Sequence, residues 1–313
     1  MLNVYNMKTK NLLLLILLAS CWGPSFLFIK IAVAEVSPLM LTGLRIGLGA
    51  LILNLILLAR RERLPLNFEF WKKILIAGFF AQALPFTLIN WGEQYVDSSL
   101  ASLLNGLTPL STIVLAQMML ADERMNINKV KGVLLGFLGL AILVLPSLIS
   151  GVAGTTQGIL SITLGAISYG VGLVYIRKNL LKVPPMHAPA AQLLSVAVYT
   201  LPVAFFMEPD FSFSYLSWEV IGSIVILGSF GTAIAFIIYF KLLERTNAAY
   251  VSMVTYLMPI YGVVLGIVFL DERVTIWMLF GAIFIFSGIV LVNRIPTKRR
   301  NLLGNFEGAC FTK

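Results

Sequence analysis

Leu120-Ala121-Asp122-Glu123-Arg124 returns as Phe269-Leu270-Asp271-Glu272-Arg273, and the distance between the two, close to 149 residues, organises the chain. Within one or two residues of that offset, Gly132 and Gly139 fall on Gly281 and Gly288, and Pro109 on Pro259. Ala19-Ser20-Cys21-Trp22-Gly23 falls on Ala166-Ile167-Ser168-Tyr169-Gly170, and Lys30 on Arg177. A repeat of half the chain length is a duplication, two copies of one structural plan.

Each copy is built from apolar runs. They occupy 12–33, 38–59, 73–91, 98–120, 130–148, 155–176, 189–207, 219–241, 247–270 and 276–293, separated by charged residues or by proline and glycine. At ~1.5 Å per residue each run can cross ~30 Å of hydrocarbon, and none alternates as a barrel strand would. The chain therefore reads as an all-α membrane protein of ten transmembrane helices. Its halves are 12–148 and 155–293, with a basic tail over 294–313. Five is odd, so the second half enters the membrane upside down relative to the first. Inverted repeats of this kind mark secondary transporters, with the substrate site between the repeats near the midplane.

Composition agrees. Of 313 residues 59% are hydrophobic and 12% charged, and the mean hydropathy is +0.93, whereas a soluble domain carries about 25% charged residues. The 23 Lys and Arg divide unevenly. Twenty fall on the side of the termini, and only Lys30, Arg45 and Arg273 on the other. Basic loops stay in the cytoplasm, so both termini are expected there. The net charge of +9 is thus a topology signal, not a nucleic-acid footprint. Leu18-Ala19-Ser20-Cys21 has the look of a lipoprotein box, but the apolar run continues through Trp22 to Ile31 as a full span. Cys310, near the other end, sits in a poor prenylation context before Thr312 and Lys313.

Polar residues within the spans point to a path. Ser98, Ser102, Asn105, Pro109 and Thr112 share one face of helix 4, and Ala248, Ser252, Thr255, Pro259 and Gly262 one face of helix 9. Such stripes face protein or a cavity rather than lipid, and close packing through small residues would use the same spacing. Pro109 and Pro259 each remove a helix hydrogen bond, freeing a carbonyl and allowing a bend, and are read as hinges. Helix 3 presents Gln82, Phe86 and Asn90 and ends near Glu93; helix 8 answers with Gly231, Ala235 and Tyr239 beside Thr232 and Phe236. Amides at membrane depth must be bonded, either between helices or to a substrate. Helices 1 and 6 add Trp22, Ser25, Tyr169 and Tyr175. The glycines of helices 5 and 10, in aliphatic surroundings, suit scaffold packing outside the site.

Ionisable residues are few. Lys30 lies near the end of helix 1 and Arg45 about two turns inside helix 2; either could act functionally, snorkel or pair with Glu35, Glu93 or Asp97. No Asp, Glu or His falls mid-span, and His187 lies in a connection beside Pro184 and Pro185. An intramembrane enzyme therefore lacks a nucleophile and base. A proton as coupling ion stays open.

With these residues in place, the chain resembles the drug/metabolite transporter superfamily, and within it the EamA-type ten-helix permeases, over 12–293. The resemblance rests on Trp22-Gly23-Pro24-Ser25-Phe26 through Lys30, on Pro38 with Leu44-Arg45, and on Ser99-Leu100-Ala101-Ser102-Leu103-Leu104 leading to Thr108-Pro109-Leu110. The Asp-Glu-Arg turns and the glycines after them complete it. It implies five-plus-five inverted repeats around a central cavity, helices 5 and 10 outside, and export of amino acids, related metabolites or drugs. Val171 stands where the first half has Pro24, so helices 1 and 6 are not expected to match strictly.

The expectation is a permease of the bacterial inner membrane that exports a small neutral or zwitterionic, partly apolar metabolite by alternating access. Its partners would be that substrate and lipid, without nucleic acid, metal or cofactor. Trp22, Lys30, Gln82, Phe86, Asn90, Asn105, Tyr169, Phe236, Tyr239 and Thr255 are the candidate substrate contacts. The alternative is an importer, or an exchanger of a phosphorylated metabolite, which would call for several basic groups in the cavity.

Overall fold

The computed structural model describes residues 2–120, 127–150, 153–184, 186–246 and 248–293. The first Asp-Glu-Arg stretch, Cys310 and the basic tail lie outside the described residues. Every element among those described is helical. Eight helices are long and apolar enough to cross a membrane: Thr9–Ala32, Pro38–Ala59, Phe68–Gly92, Ser98–Met119, Gly154–Asn179, His187–Met207, Trp218–Arg245 and Tyr250–Leu270. Two more, Ile127–Ser150 and Ile276–Asn293, carry the shorter apolar stretches Val130–Leu143 and Ile276–Gly288. In chain order these are helices 1 to 10.

Local sequence sets the starts. Ser37 caps helix 2, its Oγ accepting from Met40 N at 3.3 Å, with Pro38 in the first turn where no amide hydrogen is needed. Asn67 caps helix 3, accepting from Phe70 N at 2.7 Å, and Ser217 caps helix 8 through Val220 N at 3.4 Å. These side chains satisfy amides that a buried helix end would otherwise leave orphaned.

The packing is that of an inverted duplication. Helix 1 lies against helices 8 and 9, and helix 6 against helices 3 and 4; helix 2 packs on 7, 4 on 9, and 5 on 10. Exchanging the halves leaves that pattern unchanged. The glycines explain the 5–10 contact: a Cβ on Gly139 would stand 2.7 Å from the Gly281 carbonyl oxygen, and one on Gly288 2.4 Å from that of Gly132. The two backbones touch, as small-residue helix crossings in membranes do. Leu51, Leu55, Ile260 and Val264 are exposed on the perimeter, which suits a lipid surround.

Five interruptions converge toward the middle of the bundle. Helix 1 breaks at Gly23-Pro24. Helix 4 breaks between Ser98–Asn105 and Thr108–Met119, and helix 9 through a 3₁₀ turn, Met253–Tyr256, before Met258–Leu270. Helices 3 and 8 each contain a π turn, Phe79–Ala83 and Ser229–Ile234, whose first residues stand 150 apart. Helix 6, by contrast, runs unbroken over Ala153–Asn179, as the exchange of Pro24 for Val171 anticipates.

Candidate functional site

Pro109 and Pro259 occupy the first turn of the second segment of helices 4 and 9. The breaks therefore precede the prolines, in turns closed by i→i+3 bonds: Leu107 N to the Leu104 carbonyl at 3.0 Å, and Leu257 N to the Val254 carbonyl at 3.1 Å. The carbonyl that Pro109 leaves without an amide partner is not free. Thr108 Oγ1 donates to the Asn105 carbonyl at 2.8 Å, which corrects the expectation of an available acceptor there. In helix 9 the corresponding carbonyl is that of Thr255, whose own Oγ1 donates to the Ser252 carbonyl at 2.8 Å.

The π turn of helix 8 supplies what the proline does not. A π turn shifts backbone bonds to wider spacing and exposes a carbonyl to neighbours. The Gly231 carbonyl accepts from Trp22 Nε1 at 3.1 Å and from Arg45 Nη2 at 3.3 Å, while Thr232 Oγ1 accepts from Arg45 Nε at 3.2 Å and donates to the Leu227 carbonyl at 2.8 Å. Gly231 fits closely here: a Cβ would come within 3.0 Å of Ser25 Oγ and 3.5 Å of Arg45 Nη2. The Arg45 guanidinium also stands 3.9 Å above the ring of Phe86, a cation–π contact.

These elements enclose a cavity of about 660 Å³, its mouth included, between the two halves. Six of the sequence-derived candidates line it: Trp22, Phe86, Asn105, Tyr169, Tyr239 and Thr255. The rings form a continuous cluster, with Trp22 and Tyr239 centroids 5.6 Å apart and Phe86 and Tyr169 6.1 Å apart. Arg45, Ser25, Thr108 and Ser252 also line the cavity. Asn105 Nδ2 reaches Met258 Sδ at 3.7 Å and its Oδ1 accepts from Thr108 Oγ1 at 3.4 Å, two long contacts that leave an amide hydrogen and an acceptor lone pair unused.

Four candidates are elsewhere. Gln82 is buried and donates to Gln192 Oε1 at 2.8 Å, joining helix 3 to helix 7. Asn90 donates to Thr42 Oγ1 at 3.0 Å and to the Pro38 carbonyl at 3.2 Å, joining helix 3 to helix 2. These are the interhelical bonds that membrane-depth amides need. Phe236 stacks behind the wall, 5.8 Å from Trp22 and 6.5 Å from Phe86.

Lys30 closes one end of the bundle instead of facing the cavity. Its Nζ donates to the carbonyls of Glu93 and Val96 at 2.7 and 2.8 Å, tying helix 1 to the turn between helices 3 and 4. At the same end Glu272, of the second Asp-Glu-Arg turn, accepts from Ser98 N at 2.7 Å and Ser99 N at 2.9 Å, and from Ser99 Oγ. A carboxylate on the N-terminal amides of helix 4 also meets the positive end of its dipole. Asp271 adopts φ 53° to make this turn. Glu93 is fully buried and neither carboxyl oxygen has a hydrogen-bond partner among the described residues. Burial raises its pKa well above the usual carboxylate range; Lys30 opposes that shift and Glu272 adds to it. At the opposite end Arg177, the repeat partner of Lys30, donates from Nη1 to the Thr246 carbonyl at 3.3 Å. That carbonyl lies in the turn between helices 8 and 9.

Among the described residues no group of three His, Cys, Asp or Glu could hold a metal ion, and none of these residue types lines the cavity. What the site offers is one cation, hydroxyls and an amide, within aromatic walls.

The model of the EamA-like transporter family matches residues 9–145 and 156–294. The chain is 31% identical to the Bacillus subtilis protein named "Uncharacterized transporter YvbV", over 91% of this chain and 92% of that one. It is 26% identical to the Escherichia coli "Probable amino-acid metabolite efflux pump", over 91% of this chain and 95% of the other. A solved crystal structure superposes with a TM-score of 0.68 at 19% identity, covering 91% of this chain and 97% of its own, a likeness of fold.

Proposed function

Because the chain belongs to the EamA-like transporter family, we propose that its central cavity is the substrate site of an exporter working by alternating access. In this reading ten helices cross the bacterial inner membrane with both termini in the cytoplasm, and the Lys30 end is external. The cargo is a small metabolite of amino-acid size, neutral or zwitterionic and partly apolar, in keeping with the name of the Escherichia coli relative.

The observation that carries the reading is the pair of end contacts. Helices 3, 4 and 6 form one packed group and helices 1, 8 and 9 another. Lys30 bridges the groups at one end and its repeat partner Arg177 at the other. Two related latches on opposite sides of a cavity are what a rocking, inverted-repeat mechanism requires. The breaks of helices 4 and 9, each just before Pro109 and Pro259, are where the segments pivot. Substrate stands between Asn105 and Thr255 on the polar side and Trp22, Phe86, Tyr169 and Tyr239 on the apolar side. Gln82 and Asn90 then serve by fixing helix 3, and Phe236 by backing the aromatic wall. A phosphorylated cargo is disfavoured, since phosphate calls for several basic groups and Arg45 is the one basic residue lining the cavity among those described.

Flux of a mixed pool of amino acids and small metabolites through proteoliposomes, read by mass spectrometry, tests this. The wild-type protein equilibrates a subset of the pool, and Asn105→Leu inserts normally but loses that flux. Unchanged flux in Asn105→Leu would remove the cavity as the site.

A further inference from the structure

Arg45 has no role in that account, and its position demands one. The side chain is 3% exposed, inside a membrane-spanning helix, and no described carboxylate pairs with it. Glu93 is itself buried without a hydrogen-bond partner among the described residues and makes no ion pair with Arg45. An uncompensated guanidinium in the low-dielectric interior is costly. The fold nevertheless holds this one firmly, through Thr232, the Gly231 carbonyl and the Phe86 ring. Those contacts use Nε and Nη2. Nη1 has no hydrogen-bond partner among the described residues, and the side chain lines the cavity.

We infer that Arg45 is the docking point for a substrate carboxylate, so that the transported metabolite is a small monocarboxylate whose apolar or aromatic body lies among Trp22, Phe86, Tyr169 and Tyr239. The inference rests on the cavity being the substrate site, and it sets the class of cargo by its carboxylate, admitting anions as well as the zwitterions proposed above. The planar fork of the guanidinium matches a carboxylate, and such charge-assisted bonds are roughly twice as strong as neutral ones. Binding also supplies the counter-charge that the protein withholds. Among the described residues no acidic residue lines the cavity, so the site has nothing there that requires an ammonium group. The carboxylate is essential to recognition; the amino group is dispensable.

Three probes of similar shape separate these features: L-phenylalanine (zwitterion), 3-phenylpropionate (anion) and L-phenylalaninamide (no carboxylate). Their binding to the purified full-length protein is read by isothermal titration and by quenching of tryptophan fluorescence. Both acids bind, and the amide binds at least tenfold more weakly. In Arg45→Lys the acids weaken tenfold or more while the amide is unaffected. Because Arg45 also bonds helix 8, a substitution there can disturb folding; the three-probe comparison on the wild-type protein needs no substitution. Binding of the amide as tight as that of the acids overturns the inference. So does binding of none of the three while flux of the mixed metabolite pool persists, a result that leaves the transporter reading intact. Absence of flux for every metabolite, with the acids still bound selectively, supports the Arg45 site and removes the transport reading instead.

Discussion

Helices 3 and 8 occupy equivalent places in the two halves and carry π turns at the same repeat position, yet they do different work. Helix 3 uses its polar side chains for scaffold, Gln82 to helix 7 and Asn90 to helix 2. In helix 8 the polar contacts come from the backbone at Gly231 and the hydroxyl of Thr232, and both hold Arg45 at the cavity. Duplication has preserved the backbone geometry while the chemistry diverged. Arg45 itself has no counterpart: the repeat offset puts uncharged Leu194 or Ser195 in its place. Among the described residues the cavity therefore has one charged group, Arg45, and in the mechanism proposed above a cargo takes a single orientation.

The comparison can be broken at helix 8 more easily than at helix 3. Gly231→Leu drives a side chain into Ser25 and Arg45, and flux should fall to background while membrane insertion persists; retained flux would mean that the π turn of helix 8 is not part of the site. Thr232→Val leaves Arg45 Nε without its acceptor, which costs about 1–3 kcal/mol and should depress flux at least tenfold. Gln82→Leu orphans Gln192 at a similar cost in stability. Adding Gln192→Leu should recover most of that loss and restore flux, because replacing both partners by apolar groups can be nearly neutral. If the double variant is stable but inactive, Gln82 has a role beyond the scaffold.

Smaller effects sharpen the picture at the bundle end and the rim. Glu93→Gln should stabilise the protein in a pH-dependent way. Below the usual carboxylate range Glu93 is protonated in the folded and the unfolded chain alike, and the stabilities of the two proteins match. As pH rises above that range, unfolded Glu93 ionises while the buried group resists. The wild-type protein therefore loses stability relative to Glu93→Gln until its own raised pKa is passed. Thermal melts from pH 4 to pH 9 would reveal this, and a pH-independent difference would contradict it. At Gly222, also in helix 8, an added Cβ would meet nothing within 4 Å. Gly222→Ala should accordingly cost nothing, and gain up to about 1 kcal/mol from helix propensity.

Much of the architecture was legible because it rests on period and charge. Apolar length and the 149-residue offset specify an inverted duplication, and the glycines at 132, 139, 281 and 288 mark helices 5 and 10 as scaffold; that these two helices pack on each other came from the structure. The aromatic wall was legible in part: Trp22 and Tyr169 stand at matched repeat positions, whereas Phe86 falls on Ala235 or Phe236 and Tyr239 on Asn90. The amides were harder. Gln82 and Asn90 lie on the same helix face as Phe86, but a shared face does not reveal that Gln192 and Thr42 wait on neighbouring helices to bind them. Arg45 stood out as an intramembrane cation, whereas its orientation depends on a carbonyl exposed by the π turn. No residue pattern in Ser229–Ile234 marks that turn. Lys30 was readable as a substrate contact, a snorkelling cation or an ion-pair partner, and its bonds to the carbonyls of Glu93 and Val96 have no signal in the sequence.

In the proposed mechanism the group of helices 3, 4 and 6 rocks against that of helices 1, 8 and 9 about the cavity, so that its ends open in alternation. Distances between spin labels at exposed positions test it most directly, with one pair at Gln94 and Arg273 across the Lys30 end and another at Lys178 and Arg245 across the Arg177 end. Measured in proteoliposomes with and without transported metabolite, the two distances should change in opposite directions, one end widening as the other narrows. Two distances that widen together, or that stay fixed while flux proceeds, would contradict alternating access in this protein.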